Sequence, residues 1–268
     1  MKNIGGEIEL RRDNGFHYIT DSGRSSLQLI LRSETMRGKK CLLPDFICGS
    51  VINVFDRLGF TYGFYHINPD LSLDLASIDA QNFDALYVVD YFGHKPNISA
   101  FTGRGVTIIE DGVFMPEIEL NDSFAEWVGF NSFRKFSPAT DGSVVRSTFP
   151  LPSELILPGE APFAAVKYEG RHMKYDYLCN GTGSDEKFLA KFRCGEDMID
   201  AQREIFHISD TGMFALMGFF KHFEHERRIR LRNLRLLAEE LSDLAIAIRP
   251  AFPSVFVFAV EQRDELRE

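Results

Sequence analysis

The sequence predicts an α/β fold built on a mostly parallel sheet in a three-layer α/β/α arrangement. Short apolar runs of strand length, among them Lys40–Leu43, Ala85–Asp90, Gly105–Ile109 and Glu126–Phe130, alternate with segments whose apolar residues recur at helical spacing. Strands buried on both faces look like such runs, and the alternation implies right-handed crossovers between parallel strands. Several runs also end in a polar cluster, and open α/β sheets bind ligands beyond the carboxyl ends of their strands.

Taken in order, a short polar lead precedes a first strand at Gly15–Thr20 (GFHYIT). Asp21-Ser22-Gly23-Arg24-Ser25-Ser26 then opens a helix with apolar residues at Leu27, Ile30 and Leu31, and Ser or Asp suits its N-cap. A Gly/Ser-rich turn feeding a helix N-terminus is also a ready phosphate site, although many helices begin this way. Lys40–Leu43 is a strand closed by Pro44, Phe46–Leu58 a helix stopped by Gly59, and Phe60–Ile67 a strand. Leu73–Gln81 is a short helix, and Ala85–Asp90, Gly105–Ile109, Glu126–Phe130 and Ser143–Ser147 are further strands. Pro150, Pro152, Pro158 and Pro162 punctuate a loop. Helices are then expected over Ala164–Leu178, Ser184–Phe206, Asp210–Phe219 and Lys221–Leu244, before a strand at Val255–Val260 (VFVFAV).

Composition narrows the function. The 30 basic against 39 acidic residues, a formal charge of -9, disfavour nucleic-acid binding as a main role. The run Arg227, Arg228, Arg230, Arg232 and Arg235 reads as the solvated face of a helix. Cys41, Cys48, Cys179 and Cys194 form no CxxC pair, so no metal or redox motif is expected, and a reduced, cytoplasmic setting fits. The N-terminus lacks the apolar core of a secretory signal, and no stretch is long and apolar enough to span a membrane.

The chemistry concentrates between Val106 and Val145. If Val106–Ile109 and Trp127–Phe130 are neighbouring strands, Asp111 and Lys135 emerge at the same rim. An acid and a lysine converging there can hold the ring nitrogen of a pyridine cofactor and form a Schiff base with its aldehyde. The same residues also read as a helix cap and a solvated lysine. There is no GxGxxG and no GK[ST], which places dinucleotide and P-loop enzymes last.

Four segments in order, the SGRS turn, LPDFICGSVI, IIEDGVF and SFRKFSPATDG, resemble the DegT/DnrJ/EryC1/StrS aminotransferases. These are pyridoxal 5′-phosphate (PLP) enzymes of the aspartate-aminotransferase fold, type I. The resemblance covers nearly the whole chain and implies a PLP-binding large domain over residues 1–220. Residues 221–268 would form an interdomain helix and the beginning of a small C-terminal α+β domain. It further implies amination of a nucleotide-linked keto-sugar with glutamate as donor, in surface-polysaccharide or secondary-metabolite biosynthesis, by a homodimer. By the same resemblance Asp111 keeps the pyridine nitrogen protonated and Lys135 carries the cofactor and shuttles a proton. Ser132 and Gly23, Arg24 and Ser25 hold the phosphate, and Phe46 and Cys48 occupy the segment stacked on the ring.

The sequence departs from the family in four ways. Phe114 stands where the family has Gln or His near the phenolic oxygen of the cofactor, and Cys48 stands where it often has an aromatic residue. The interval from Ser132 to Lys135 is short, and members run longer past the VFVFAV-like strand. The chain is therefore expected to continue beyond Glu268, or another element or subunit to cover Val255–Val260. Two other readings remain open: a weak or inactive relative serving as a binding or assembly module, and a sugar dehydratase. In the dehydratases the lysine is typically His, so Lys135 argues against the second.

Overall fold

The computed structural model describes residues 14–260. The polar lead and residues 261–268 lie outside the described residues.

Seven strands form the main sheet: β1 (Phe16–Thr20), β2 (Cys41–Pro44), β3 (Tyr62–Tyr65), β4 (Ala85–Val89), β5 (Thr107–Asp111), β6 (Trp127–Phe130) and β7 (Ser143–Ser147). Their order is β1-β7-β6-β5-β4-β2-β3. Pairing is parallel from β3 through β6, and β7 runs antiparallel to both β6 and β1. The alternating side chains sort into two cores. Tyr87, Ile109, Val128, Phe130 and Val145 face helices α1 (Gly23–Leu31) and α2 (Gly49–Leu58). Leu42, Leu86, Val88, Ile108 and Trp127 face the other way, under Ile78 of α3 (Leu75–Asp79), Phe101, Ile118 and Phe124. The seven strands expected from the sequence are all present, with ends within about two residues.

The second half differs more from expectation. Ile156–Glu160 is a strand (β8) where prolines suggested a loop, and it pairs in parallel with β9 (Ile205–His207). A register shift between Leu157 and Glu160 accommodates Pro158, which has no N–H to give the ladder. The helix expected over Ser184–Phe206 accordingly ends at Ala201 (α5, Asp185–Ala201), leaving Ile205 free to pair. Its neighbour α4 spans Pro162–Asn180, and α6 (Asp210–Lys221) is separated from α7 (Phe223–Glu240) by a break at His222.

Val255–Val260 is not a strand. It touches its neighbours through a single antiparallel bridge, Ala245 to Phe258, with Ile246 N–H donating to Val257 O and Ala259 N–H to Leu244 O. Pro250 and Pro253 constrain its approach, and Val255 and Phe258 stay 41% and 44% exposed. The arginine run is likewise only partly solvated. Arg227 Nε donates to Ala251 O, and Arg230 lies 4.8 Å over the Phe252 ring while donating to Pro253 O.

Candidate active site

Asp111 is the last residue of β5, where the strand's alternation turns it toward the α1/α2 face and Glu110 toward the other. Its carboxylate is buried. The Tyr87 phenol donates to Oδ2 across 2.5 Å, and the Val113 N–H donates to Oδ1 across 3.2 Å. Burial pushes the carboxyl up to about 6; the Tyr87 and Val113 hydrogen bonds and the charge of Lys135 pull the other way. Tyr87 itself is held well above the usual phenol range by burial and by the Asp111 charge, so it stays a donor.

Lys135 ends a single 3-10 turn, Phe133–Lys135, directly after β6. Phe133 and Phe136 are anchored in a core with Leu216, Phe219 and Phe252, which leaves Lys135 exposed between them. The lysine opens on a cavity of about 720 Å³ that also receives Arg134, Arg171, His222 and Arg230. Beyond the turn, Asp141 accepts from the backbone N–H and the hydroxyl of Ser209, the N-cap of α6. Gly142 has φ +99, and a Cβ there would lie 2.3 Å from Ile208 Cδ1, so glycine is required on both counts.

The turn at Ser22–Ser25 meets this lysine loop. Ser22 caps α1, and a Cβ on Gly23 would lie 3.4 Å from both Ser132 Cβ and Asn131 O, so the first turn of α1 rests on Ser132. A hydroxyl chain fixes the arrangement: Thr20 to Ser26 at 2.8 Å, Ser26 to Ser143 at 2.6 Å, and Ser143 to Asn131 O at 2.5 Å. Asp21 ties the turn to β9 by accepting from Phe206 N–H and Gln202 Nε2. Ser25 gives its hydroxyl to Asp21 across 2.6 Å, and the Arg24 guanidinium is engaged by Glu196 and Asp200.

Phe46, exposed, stacks on Tyr91 at 5.3 Å, and the Tyr91 phenol donates to Phe46 O. Tyr91 contacts Phe92 at 6.5 Å, and Phe92 contacts Phe114 at 5.9 Å, which strings four rings along the rim. Phe92 holds φ 56, a left-handed conformation that a bulky residue adopts only under surrounding constraint. Cys48 occupies the N-cap position of α2 with Sγ 3.1 Å from Ser50 Oγ. The structure thus brings Asp111, Lys135, Ser132 and Gly23 into one neighbourhood, flanked by Phe46, Cys48 and Phe114.

The sequence reading missed Tyr87 and Arg171, and took Arg230 for part of a solvated face although it lines the cavity beside Lys135. Tyr87 looks like core filling inside ALYVV; its signal was a lone hydroxyl in an otherwise apolar strand beside the one that ends in Asp111. Among the described residues, no helix is long and apolar enough to cross a membrane.

No family model matches the sequence, and no curated protein matches it. Solved structures do match. The chain is similar to a DegT DnrJ EryC1 StrS aminotransferase from Brucella abortus, with TM-score 0.59 and 19% identity over 93% of this chain and 67% of that one. It is similar to S. venezuelae DesV, solved in complex with a ketimine intermediate, with TM-score 0.61 and 18% identity over 94% of this chain and 66% of that one. AtS13 from Actinomadura melliaura gives TM-score 0.60 and 16% identity over 94% and 69%. The fold is therefore the aspartate-aminotransferase-like, type I fold of PLP enzymes. The chain spans about two thirds of the length of these structures.

Proposed function

We propose that the chain is a PLP-dependent aminotransferase of the DegT/DnrJ/EryC1/StrS kind, aminating a nucleotide-linked keto-sugar with glutamate as donor. One observation carries the reading: a buried carboxylate, Asp111, is kept ionisable by Tyr87 and lies within electrostatic reach of the exposed Lys135. The residues fit the cofactor. Asp111 would hold the proton on the ring nitrogen, in the charge-assisted contact its burial strengthens. Ser132 and the N–H groups of Gly23 and Arg24, which head α1, suit the phosphate; the Arg24 guanidinium is held back from it by Glu196 on Nη2 and Asp200 on Nε, with Nη1 left unpartnered among the described residues. Phe46 offers an exposed ring face.

When bound, pyridoxal phosphate supplies an aldehyde that condenses with amines and a ring that stabilises a substrate carbanion. Lys135 Nζ would anchor the cofactor and then, as general base, carry the proton from the substrate carbon to the carbon that had borne the aldehyde. Tyr87 keeps Asp111 oriented, and the apolar wall of Phe92 and Phe114 limits water. The basic side chains of Arg134, Arg171 and Arg230 around the adjoining cavity suit carboxylate or phosphate groups of the two substrates. A homodimer in the cytoplasm is the accompanying expectation.

Phe114 favours a second reading, a relative that keeps the fold as a binding module, because an apolar ring cannot hydrogen-bond the phenolic oxygen of the cofactor. The experiment that separates the two is a glutamate half-reaction on purified protein. A yellow protein bleached by glutamate supports the enzyme; a protein that takes up no cofactor sinks it.

A further inference from the structure

A second polar pocket lies on the opposite face of the sheet from Asp111. Asp90 follows β4 and is 1% exposed; Glu110, on β5, is 4% exposed. Both line a cavity of about 300 Å³ together with Lys95, Asn97 and Asn121. Glu110 is better served, its Oε2 accepting from Trp127 Nε1 at 3.0 Å and its Oε1 ion-paired with Lys95 Nζ at 2.9 Å, though without hydrogen-bond geometry. Asp90 has neither: among the described residues no hydrogen-bond donor reaches either of its carboxylate oxygens. Two buried carboxyl groups therefore share one ammonium, and a buried acceptor without a donor is costly.

We propose that this cavity is a binding site for a small organic cation whose ammonium group sits against Asp90 and Glu110. The missing partner must bring N–H donors and one positive charge, which balances two carboxylates against Lys95. A metal ion suits the walls poorly, because among the described residues no three His, Cys, Asp or Glu side chains gather to hold one. The rest of the lining divides between amides, Asn97 and Asn121, and apolar groups, Val88, Ile98 and Phe124, which cover the carbon part of such a ligand. In its absence burial and the neighbouring Glu110 charge raise the Asp90 carboxyl well above the usual range, and a proton shared with Glu110 occupies only one of the open oxygens.

Trp127 is the only tryptophan, and its indole N–H ends on Glu110, so one indole signal reports on the pocket. The probe is trimethylammonium, which cannot form a Schiff base with an aldehyde, titrated into the whole chain with and without pyridoxal phosphate. A saturable shift of the Trp127 indole resonance is expected in both preparations, with none from tert-butanol, a neutral molecule of similar shape. Asp90→Asn should weaken the response at least tenfold at an unchanged melting temperature. Ser99→Leu, at the exposed mouth, should also weaken it and serves if Asp90→Asn fails to fold. No saturable shift, an equal response to tert-butanol, or full binding by a folded Asp90→Asn protein overturns the proposal. Because the readout does not need the cofactor, its failure is separable from failure of the aminotransferase reading.

Discussion

The Tyr87 phenol donates to Asp111 Oδ2 across 2.5 Å inside the sheet, with Tyr87 fully buried and Asp111 4% exposed. A strand residue that would otherwise be simple core filling thereby opposes the upward push of burial on the carboxyl proposed to meet the cofactor. Tyr87→Phe keeps the packing and removes the donor. A hydrogen bond to a charged group is worth about 1.5–3 kcal/mol, so cofactor affinity at neutral pH should fall roughly ten- to hundredfold. Absorbance titration with pyridoxal phosphate measures it, and unchanged affinity would remove Tyr87 from the site.

The pH dependence of Asp111 has a definite sign. Its carboxyl moves from 3.8 to about 6 on folding, so between those values the folded chain holds the proton more tightly than the unfolded one. The stability it contributes is complete below the lower value and is lost as pH rises through the upper. Without cofactor, the melting temperature of wild type relative to Asp111→Asn should decline from pH 4 to pH 6. Cofactor retention should run the opposite way, increasing as the carboxylate ionises. A flat difference between the two proteins across that window would show that Asp111 is not the titrating group.

Lys135 should carry the pyridoxyl label after borohydride reduction. Lys95 is paired with Glu110 and Lys167 with Glu196, whereas Lys135 opens on the cavity. Lys135→Ala should fold normally and give no reducible adduct. Peptide mapping that finds the label on Lys95 or Lys167 would refute the assignment.

Ser132 and Arg24 should separate in their effects. Ser132→Ala is expected to weaken pyridoxal phosphate binding several-fold without lowering stability. Arg24→Ala, which loses partly exposed pairs with Glu196 and Asp200, should cost under about 1 kcal/mol of stability and leave cofactor affinity unchanged. The reverse pattern in paired denaturation and binding curves would return the guanidinium to the phosphate.

Gly142→Ala should be among the more damaging single changes outside the apolar core. The left-handed backbone alone costs about 1–3 kcal/mol for a side chain, and the 2.3 Å clash with Ile208 adds to it. Urea denaturation showing a loss below about 1 kcal/mol would mean that the loop relaxes freely.

The first half of the fold was legible because its central strands β2, β4, β5 and β6, buried on both faces, read as short apolar runs, and the helices carry caps such as Ser22 and Gly59. Asp111, Lys135 and Ser132 could be placed for the same reason: strand ends fix where the following residue emerges. The second half resisted the same rules. Ile156–Glu160 contains Pro158 and pairs only at an edge, so nothing in its pattern marks a strand. VFVFAV has high strand propensity, yet only one bridge partner is offered to it, and propensity without a neighbouring ladder does not make a sheet. Tyr87 and Asp90 were invisible for a different reason. Their importance lies in what they do or do not hydrogen-bond, which spacing alone cannot encode.

The place of β7 between β6 and β1 also governs the order in which the molecule can be assembled. Phe16 pairs with Ser147, and Thr20 with Ser143, so the first strand has no ladder partner until the seventh has left the ribosome. The turn at Gly23 acquires Ser132 only when that pairing forms. Contacts so distant along the chain make loop closure the slow part of folding. The lysine loop and the helix that would receive a phosphate are thus synthesised as separate fragments and become a site in one late event. Nascent chains released before Ser147 should be unable to retain pyridoxal phosphate however well their early helices have formed.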